Sequence, residues 1–391
     1  MSRRDELKKK ILQYLLQKGH ATRPELVALT GVRAATVFEA IDELKSESMI
    51  AEPERRSKKT GRKAPELSFK PDCCLTVGIE LRSKCCYGVI ADTSGKTLFY
   101  SEVPANNRNS LSDVKNEILL LLQNLREQAG VLWDQIKGIG FADPGLVDIE
   151  KGFSIRAVNV PGWQNVDTAK WLTTVSALPA GVWPETMVKT KMEYLQLADK
   201  APESIFNLTT DDGIGGGFIR DGKLFTGASG RAMEIGHLQV DPDGPRCQCG
   251  NNGCLEALAG WPSICRIITE NRMQGVDFGE LPEQFSMTDF SENISKNKGT
   301  RIIAEKVCHA LGTALSSMVM MLNPEMIVIS GELTVLGDFL LNSLRRELEL
   351  RCFPEAVKDL QIVLSTLSKA DTATGAAMMM REKILLGENN L

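Results

Sequence analysis

One histidine and three cysteines lie close together in the stretch GHLQVDPDGPRCQCGNNGCLEALAG. The four residues are His237, Cys247, Cys249 and Cys254. Three thiolates and one imidazole are a full ligand set for tetrahedral zinc, and the glycines between them let the backbone bend closely around an ion. A closed ligand shell leaves no position for a substrate. The spacing therefore predicts a structural zinc site that fixes the loop 237–254.

Cysteines that simply pack as small apolar side chains are the alternative. These three lie in a loop rich in Gly, Pro and Asp, which offers no apolar face to bury them. The other cysteines lie in apolar runs without the spacing of a disulfide framework: Cys73, Cys74, Cys85, Cys86, Cys265, Cys308 and Cys352. The sequence has no apolar leader and no stretch near the roughly 20 apolar residues of a membrane span. We therefore expect a protein of the reducing cytoplasm.

Charge is divided unevenly along the chain. The 391 residues have a net charge of −4, but the first 70 contain 16 basic and 10 acidic side chains. The remainder contains 30 basic and 40 acidic side chains. A basic segment joined to an acidic body indicates an N-terminal module that meets a polyanion. We predict two domains, at 1–70 and 71–391.

Three predicted helices organise the basic segment. Apolar residues recur at helical spacing over Leu7–Leu16, and Gly19 is placed to end that helix. Thr22 and Glu25 form a capping box that opens a second, short helix. After a glycine turn, apolar residues at helical spacing predict a third helix at about 34–46. The pattern indicates a helix-turn-helix, although helical bundles with no role at DNA share it.

A basic segment between two predicted strands follows the third helix. The strands lie at 49–51 and 67–69, and six Lys or Arg residues fall between them. This predicts a winged helix-turn-helix, in which the third helix enters the major groove and a wing arginine enters a narrow minor groove. The predicted DNA-binding residues are Arg33, Ala35, Thr36 and Arg62. A solvated charge run with only non-specific phosphate affinity is the alternative.

The body repeats one strand pattern. A strand, a turn and a second strand occur at about 74–103 and again at 204–224, and each set precedes a helical segment. Late in the chain a long helix, at about 300–322, leads into the apolar strand MIVIS. The repeat predicts two related α/β lobes, and a cleft between lobes is the default place for a ligand.

Four segments of the body together resemble the ROK family of sugar kinases and sugar-responsive repressors. They are IGFADPGLVD, AVNVPGWQNV, NPEMIVISGEL and the EIGH tetrapeptide that leads into the cysteine loop. The combination of EIGH with the Cys-x-Cys-x4-Cys spacing is the specific part of the resemblance. It covers almost the whole chain, because the repressor branch of the family also begins with a winged helix.

The resemblance implies an α/β protein in which the winged helix-turn-helix precedes a two-lobe, actin-like (ribonuclease H-like) domain with a zinc loop. It also implies a homodimer or homotetramer, and a sugar bound between the lobes. The family's sugar-binding positions correspond here to Glu234, His237 and Glu256. Carboxylates and imidazole accept hydrogen bonds from hydroxyl groups. The structural alternatives are that Glu234 caps a turn, Glu256 begins a helix and His237 only binds the metal.

Three elements that serve ATP in the family's kinases are altered in this chain. The first phosphate loop, Asp-x-Gly-Gly-Thr in kinases, is ELRSK at 80–84 and has no glycine to admit a phosphate. The Asn-Asp pair that supplies the general base is Pro184-Glu185. Asp211 and Asp212 replace Gly-Thr in the second phosphate loop, where two carboxylates would repel a phosphate.

These changes predict a regulator without catalytic residues rather than an enzyme. We expect it to bind a double-stranded DNA operator, to repress genes of carbohydrate metabolism, and to respond to a sugar or sugar derivative. An ATP-dependent sugar kinase with an accessory DNA-binding domain is the alternative. Control by a protein partner, or by a sugar phosphate bound to Arg82 and Lys84 in the altered loop, is a further one.

Overall fold

Capping residues set the ends of the first three helices. The helices are α1 (Arg3–Lys18), α2 (Arg23–Thr30) and α3 (Ala34–Ser46). The predicted capping box is present, because the Thr22 N–H donates to Glu25 Oε2 at 2.7 Å and the Glu25 N–H donates to Thr22 Oγ1 at 3.4 Å. Gly19 ends α1 with a φ of 77°, a value that glycine adopts without strain. The helices predicted from the sequence are therefore confirmed.

A small antiparallel sheet completes this N-terminal module. Its strands are β1 (His20–Thr22), β2 (Ile50–Ala51) and β3 (Glu66–Phe69), in the order β1-β3-β2. The computed structural model describes residues 2–52, 65–197 and 200–387. Arg62 and the rest of the basic segment at 53–64 lie outside the described residues. The apolar core of the module contains Leu15 and Ile41, and it also contains Leu386 from the other end of the chain.

The described chain divides into two units, of which the first contains residues up to Val188 and from Lys369 onward. Besides the module, it holds a mixed sheet in the order β11-β7-β4-β5-β6. The strands are β4 (Leu75–Leu81), β5 (Cys85–Ala91), β6 (Thr97–Pro104), β7 (Ile136–Asp143) and β11 (Ala180–Pro184). A smaller sheet contains β8 (Leu146–Asp148), β9 (Phe153–Arg156) and β10 (Gln164–Val166). The helices of this part are α4 (Leu111–Ala129), α5 (Thr168–Ser176) and α13 (Asp371–Leu385).

Helix α13 packs closely against this sheet because two strands present glycines to it. A Cβ atom on Gly78 would lie 1.8 Å from the carbonyl oxygen of Ala373. One on Gly140 would lie 1.9 Å from the carbonyl oxygen of Ala376. The hydroxyl of Thr76 donates to the Ala377 carbonyl at 2.9 Å. Backbone therefore meets backbone along the length of the helix.

The second unit, Lys189–Ser368, has a sheet of the same design. Its order is β14-β13-β12-β15-β16, with three antiparallel strands and two parallel ones as in the first sheet. The strands are β12 (Ser204–Thr210), β13 (Ile214–Arg220), β14 (Lys223–Leu224), β15 (Met326–Gly331) and β16 (Gln361–Leu364). The helices are α7 (Leu255–Ala259), α8 (Trp261–Met273), α9 (Met287–Asn293), α10 (Lys298–Leu322), α11 (Gly337–Arg351) and α12 (Pro354–Val357); α6 (Glu185–Leu197) begins in the first unit. The repeat predicted from the sequence is present in the two sheets.

No helix within the described ranges is both long enough and apolar enough to cross a membrane.

Candidate metal centre and binding sites

The histidine and the three cysteines converge in the second unit. The ligand atoms of His237, Cys247, Cys249 and Cys254 all lie within 4.8 Å of one another. Cys247 Sγ is 3.7 Å from His237 Nδ1, and Cys249 Sγ is 3.6 Å from Cys254 Sγ. Ligands about 2.3 Å from a tetrahedral zinc ion are separated by about 3.8 Å. The donor set and its spacing therefore fit a metal ion, and the structure brings together the four residues that the sequence spacing predicted as ligands.

The backbone of the loop is folded for this arrangement. Gly253 has a φ of 62°, and a Cβ atom there would lie 1.4 Å from the Asp241 carbonyl oxygen. A hydrogen bond from the Asn251 N–H lowers the pKa of Cys249, whereas burial raises the pKa of Cys254 to about 12. A buried thiol of this kind becomes a thiolate when a cation compensates its charge. The protein environment alone does not favour three thiolates, but a bound cation would.

The predicted sugar-binding residues lie at the two ends of the loop 237–254, which is called the metal loop below. Cys254 is the residue before α7, and Glu256 lies in the first turn of that helix. One oxygen of Glu256 accepts a hydrogen bond from the Ile214 N–H at 2.9 Å, so this residue also holds the start of β13. Glu234 is exposed, yet desolvation by neighbouring atoms raises its pKa, and the nearby charge of Glu256 acts in the same direction. His237 lies between them in sequence, with Nδ1 turned toward the cysteines.

Three acidic residues meet at one edge of the sheet in the first unit. Glu80, Asp143 and Glu185 lie at the carboxyl ends of the parallel neighbours β4, β7 and β11. Open α/β sheets bind ligands at this edge. Glu80 and Glu185 are two of the positions at which this chain differs from the family's kinases, and the register of the strands places them on either side of Asp143.

Asp143 is a residue that the sequence analysis missed. Its carboxylate is fully buried and accepts hydrogen bonds from the Gly145 N–H at 2.9 Å, from Trp163 Nε1 at 2.8 Å and from the Ser154 hydroxyl. Burial raises its pKa, although these three donors oppose the shift. The only sign of it in the sequence was that an acidic residue ends an apolar strand just before Pro-Gly. Through its hydrogen bond from Trp163, Asp143 fixes the loop that contains the PGW segment.

The altered first phosphate loop is a tight turn between β4 and β5. The Arg82 N–H donates to the Cys85 carbonyl at 2.9 Å, which closes the turn. The buried guanidinium of Arg108 donates to the carbonyls of Arg82 and Ser83 from within the protein, and it pairs with Glu117 at 2.6 Å. The loop is therefore held by a protein cation on its inner side.

The second phosphate loop differs from the expectation of two repelling carboxylates. Asp211 is paired with the amino group of Lys189, and both residues are buried. Its charge is therefore compensated inside the protein, and the repulsion argument does not hold for Asp211. Sequence reasoning had no signal for this pair because Lys189 lies on α6 and Asp211 lies beyond β12.

The predicted DNA-binding residues of α3 lie on the surface. Arg33 is the N-cap residue of α3 and makes no capping hydrogen bond through its side chain. Arg33, Ala35 and Thr36 are all exposed. Arg62, the fourth predicted residue, lies outside the described part of the chain. The first turn of α3 is therefore available for contact with another molecule.

Acidic residues elsewhere in the module are paired with cations. Arg23 makes a two-pronged contact with Glu52, at 3.0 Å from Nε and 2.8 Å from Nη2, and it also reaches Asp42 at 2.9 Å. Lys8 lies 2.9 Å from Glu43 and 2.7 Å from Glu47. These pairs reduce the repulsion that the module's carboxylates would exert on a polyanion.

The two sheets of equal strand order, together with the Cys3His cluster, define an α/β protein built from two related units. The chain belongs to the ROK family, whose model matches residues 76–383. The xylose repressor of Caldicellulosiruptor bescii is 28% identical over 393 residues, 96% of this chain and 95% of that protein. The glucokinase of Halalkalibacterium halodurans is 25% identical over 319 residues, 78% of this chain and 95% of the kinase.

A solved structure has the same fold over nearly the whole chain. The crystal structure of a ROK family transcriptional regulator, a homologue of the E. coli Mlc protein, matches with a TM-score of 0.83 at 23% identity. The match covers 98% of both chains. The family resemblance drawn from the sequence motifs is confirmed.

Proposed function

We propose that this protein is a sequence-specific DNA-binding transcriptional regulator, and specifically a repressor of carbohydrate-metabolism genes controlled by a sugar or sugar derivative. The observation that carries the proposal is the joining of a three-helix module with a small sheet to a ROK body in one chain. The xylose repressor matches 96% of this chain, whereas the glucokinase matches 78%. The part of this chain that the glucokinase does not match is therefore about as long as the N-terminal module.

The module is proposed to bind the operator as a winged helix-turn-helix. The exposed first turn of α3 would enter the major groove, where Arg33 would read a guanine edge and Ala35 would meet a thymine methyl group. Thr36 lies on the same turn, and Arg62 would enter the minor groove. Two modules of a homodimer, or of a homotetramer, would occupy the halves of a pseudo-palindromic site.

The effector is proposed to bind at Glu234, His237 and Glu256. A zinc ion on His237 and the three cysteines would hold the loop on which these residues lie, because ligand binding supplies folding free energy. His237 would then serve both purposes, with Nδ1 toward the metal and Nε2 toward a hydroxyl. The ion is proposed to be structural, since four protein ligands complete a tetrahedral shell.

The body is proposed to lack phosphoryl-transfer activity. The turn at 80–84 has its carbonyls bonded to Arg108 and offers no glycine cradle to a phosphate. In the second loop, Asp211 and Asp212 stand where kinases have Gly-Thr, and Asp211 is paired with Lys189. Pro184-Glu185 also stands where kinases have the Asn-Asp pair, and small errors in positioning a base are costly in rate.

Fluorescence anisotropy on DNA from the upstream region of the protein's own gene would test the proposal. Sugars and sugar phosphates are titrated at fixed salt, with a scrambled duplex of the same length as the control, because phosphate contacts alone give salt-dependent affinity. Specific binding released by one compound is expected. Equal affinity for both duplexes would refute the proposal that the protein is a sequence-specific regulator. Phosphoryl transfer from ATP to a sugar, measured in a separate assay, would favour the alternative of a sugar kinase.

The same assay separates the two kinds of effector. If a sugar phosphate bound at Arg82 and Lys84, Arg82→Ala and Lys84→Ala would weaken its effect. If the effector bound at Glu234 and Glu256, the Arg82→Ala and Lys84→Ala variants would respond to it as the unmodified protein does. Specific DNA binding that ignores every compound would point to a protein partner instead.

A further inference from the structure

Leu386 belongs to the apolar core of the N-terminal module although it lies just beyond the end of α13. It is 9% exposed and shares a cluster with Leu7, Leu15 and other side chains of the module. Burying a leucine side chain contributes free energy that a polar residue would not supply. The residue that follows the last helix therefore contributes to the core of the N-terminal module.

Arg381, on the same helix, is almost completely buried at 5% exposed. Its Nη1 donates to the Thr93 carbonyl oxygen at 2.6 Å. Its Nε has no hydrogen-bond partner among the residues that the structure describes, and burial lowers the pKa of the guanidinium. A buried guanidinium is costly to desolvate. Desolvation of this guanidinium therefore costs free energy, and the hydrogen bond to the Thr93 carbonyl offsets part of that cost.

Thr93 connects Arg381 to the segment 70–74 between β3 of the module and β4 of the body. Its N–H and its hydroxyl both donate to the Pro71 carbonyl, at 2.8 Å and 2.9 Å. Its hydroxyl oxygen also accepts from the Cys74 N–H at 2.9 Å. One residue therefore ties the linker at both ends, and Arg381 holds that residue.

The remainder of α13 is packed tightly against its sheet. The glycines at 78 and 140 bring its backbone to within contact of the strands, so a shift would require the sheet to move as well. The helix begins at Asp371, and the boundary between the units falls just before Lys369. The chain thus passes from the second unit directly into the helix that reaches the module.

We infer that α13 holds the N-terminal module in one orientation on the body and transmits the effector's signal to it, with Arg381 and Leu386 as positioning residues. The transmission part rests on the proposed function, whereas the holding part does not. A tightly packed helix that contacts both the linker and the core of the module is a physical route for coupling, because such an element moves as a unit rather than deforming continuously.

Hydrogen exchange followed by mass spectrometry tests the holding part in the full chain without DNA or effector. Arg381→Met is expected to speed exchange in peptides covering 70–75 by roughly tenfold or more, since a charge-assisted hydrogen bond is lost. Leu386→Ser is expected to do so in α1. Lys383→Met, which removes a charge from the same helix, is the control and should leave both regions unchanged.

Two outcomes would overturn the holding role. One is exchange in 70–75 and α1 at the rate of the unmodified protein in both variants. The other is acceleration of similar size in α10 of the second unit, which would mean that the variants only lower general stability. Arg381→Lys should restore part of the protection, because an ammonium can also donate to the Thr93 carbonyl.

DNA anisotropy with and without effector tests the transmission part. The ratio of the two DNA affinities, typically about 5–150-fold in coupled systems, is expected to fall toward one in Arg381→Met while effector affinity remains. An unchanged ratio would overturn transmission. If the unmodified protein bound no operator at all, the proposed function would fail, and the exchange experiment would still decide the holding role.

Discussion

One carboxylate oxygen of Glu256 accepts a hydrogen bond from the Ile214 N–H at 2.9 Å. The bond joins the first turn of α7, which follows the metal loop, to the first residue of the glycine-rich strand β13. Metal loop, helix and strand therefore share one anchoring residue, and that residue is also a proposed contact of the effector. A substitution at this position can separate the two roles.

The Glu256→Gln variant is expected to fold normally but to bind the effector more weakly. The amide oxygen of glutamine can still accept from Ile214, but a charged acceptor for a sugar hydroxyl is lost, which costs roughly tenfold or more in affinity. Isothermal titration with the effector found in the anisotropy screen measures the loss. Glu283→Gln, an exposed carboxylate of the same unit, is the control. Unchanged affinity in Glu256→Gln would remove Glu256 from the effector site.

Loss of the predicted metal ligands is expected to loosen the second unit before it affects the N-terminal module. If zinc binds as proposed, Cys247→Ser and Cys249→Ala should lower the zinc content, lower the thermal midpoint and impair repression in cells, because a bound ion would supply folding free energy to the loop. Metal content by mass spectrometry and hydrogen exchange in α1 to α3 check this order of events. Cys265→Ser, outside the cluster, is the matched control. Normal operator control by the ligand variants would contradict the role assigned to the metal.

Breaking the Lys189–Asp211 pair is expected to destabilise the protein strongly. Asp211→Asn leaves the buried ammonium without its carboxylate, which typically costs about 3–5 kcal/mol. Urea unfolding measures the change, with Asp212→Asn as the control in the same loop. Replacing both members by apolar residues, Lys189→Met with Asp211→Leu, should recover part of the loss. Equal stability of the two single variants would show that the pair is not buried in solution.

Acid is expected to loosen the N-terminal module through Glu52. The hydrogen bonds from Arg23 lower the pKa of this carboxyl to about 2. Because the folded pKa lies below the unfolded value, its stabilising contribution is complete above about pH 5 and is lost as the pH falls toward 2. The effect is modest, since the pair is partly screened by solvent.

Hydrogen exchange in α2 and α3, corrected for the intrinsic rate at each pH, follows this loss. Glu52→Gln should exchange faster than the unmodified protein above pH 5 and approach it at the acid end. Glu6→Gln, an exposed carboxylate on α1, serves as the comparison. Parallel pH curves for Glu52→Gln and the unmodified protein would contradict the assignment.

Arg33→Ala is expected to weaken operator binding by about 1–3 kcal/mol and to relax discrimination at one base pair. Anisotropy with single-base variants of the operator measures both effects. Lys10→Ala, on α1, removes one positive charge from the same module and serves as the charge control. A uniform loss over all sequences, with a smaller salt dependence, would make Arg33 a phosphate contact instead.

Local patterns in the sequence predicted the fold well wherever a short-range rule decides the structure. The capping box of Thr22 and Glu25, the end of α1 at Gly19 and the range of α3 depend only on neighbouring residues. The convergence of His237 and the three cysteines was equally predictable, because only a small set of geometries satisfies Cys-x-Cys-x4-Cys with a histidine upstream.

Contacts between distant parts of the chain were not predictable in this way. Lys189 and Asp211 meet because α6 passes beside the end of β12, which no spacing in the sequence encodes. The hydrogen bonds of Asp143 to Trp163 and Ser154 arise from a loop that folds back on β7. The same limit hid the contact of Leu386 with the N-terminal module, since hydrophobic periodicity assigns a residue to a core without saying which core.

The place of Leu386 in the core of the N-terminal module has a consequence for folding during translation. The module leaves the ribosome early, yet about 300 residues must follow before Leu386 emerges, which takes about 15–60 s at about 5–20 residues per second. Throughout that time the nascent chain presents a basic head without the side chain that completes its core. Translation of an mRNA truncated upstream of the codons for α13 would therefore yield a fragment whose N-terminal module has an incomplete core. Such a fragment should be degraded by cellular proteases rather than compete with the full-length protein for DNA.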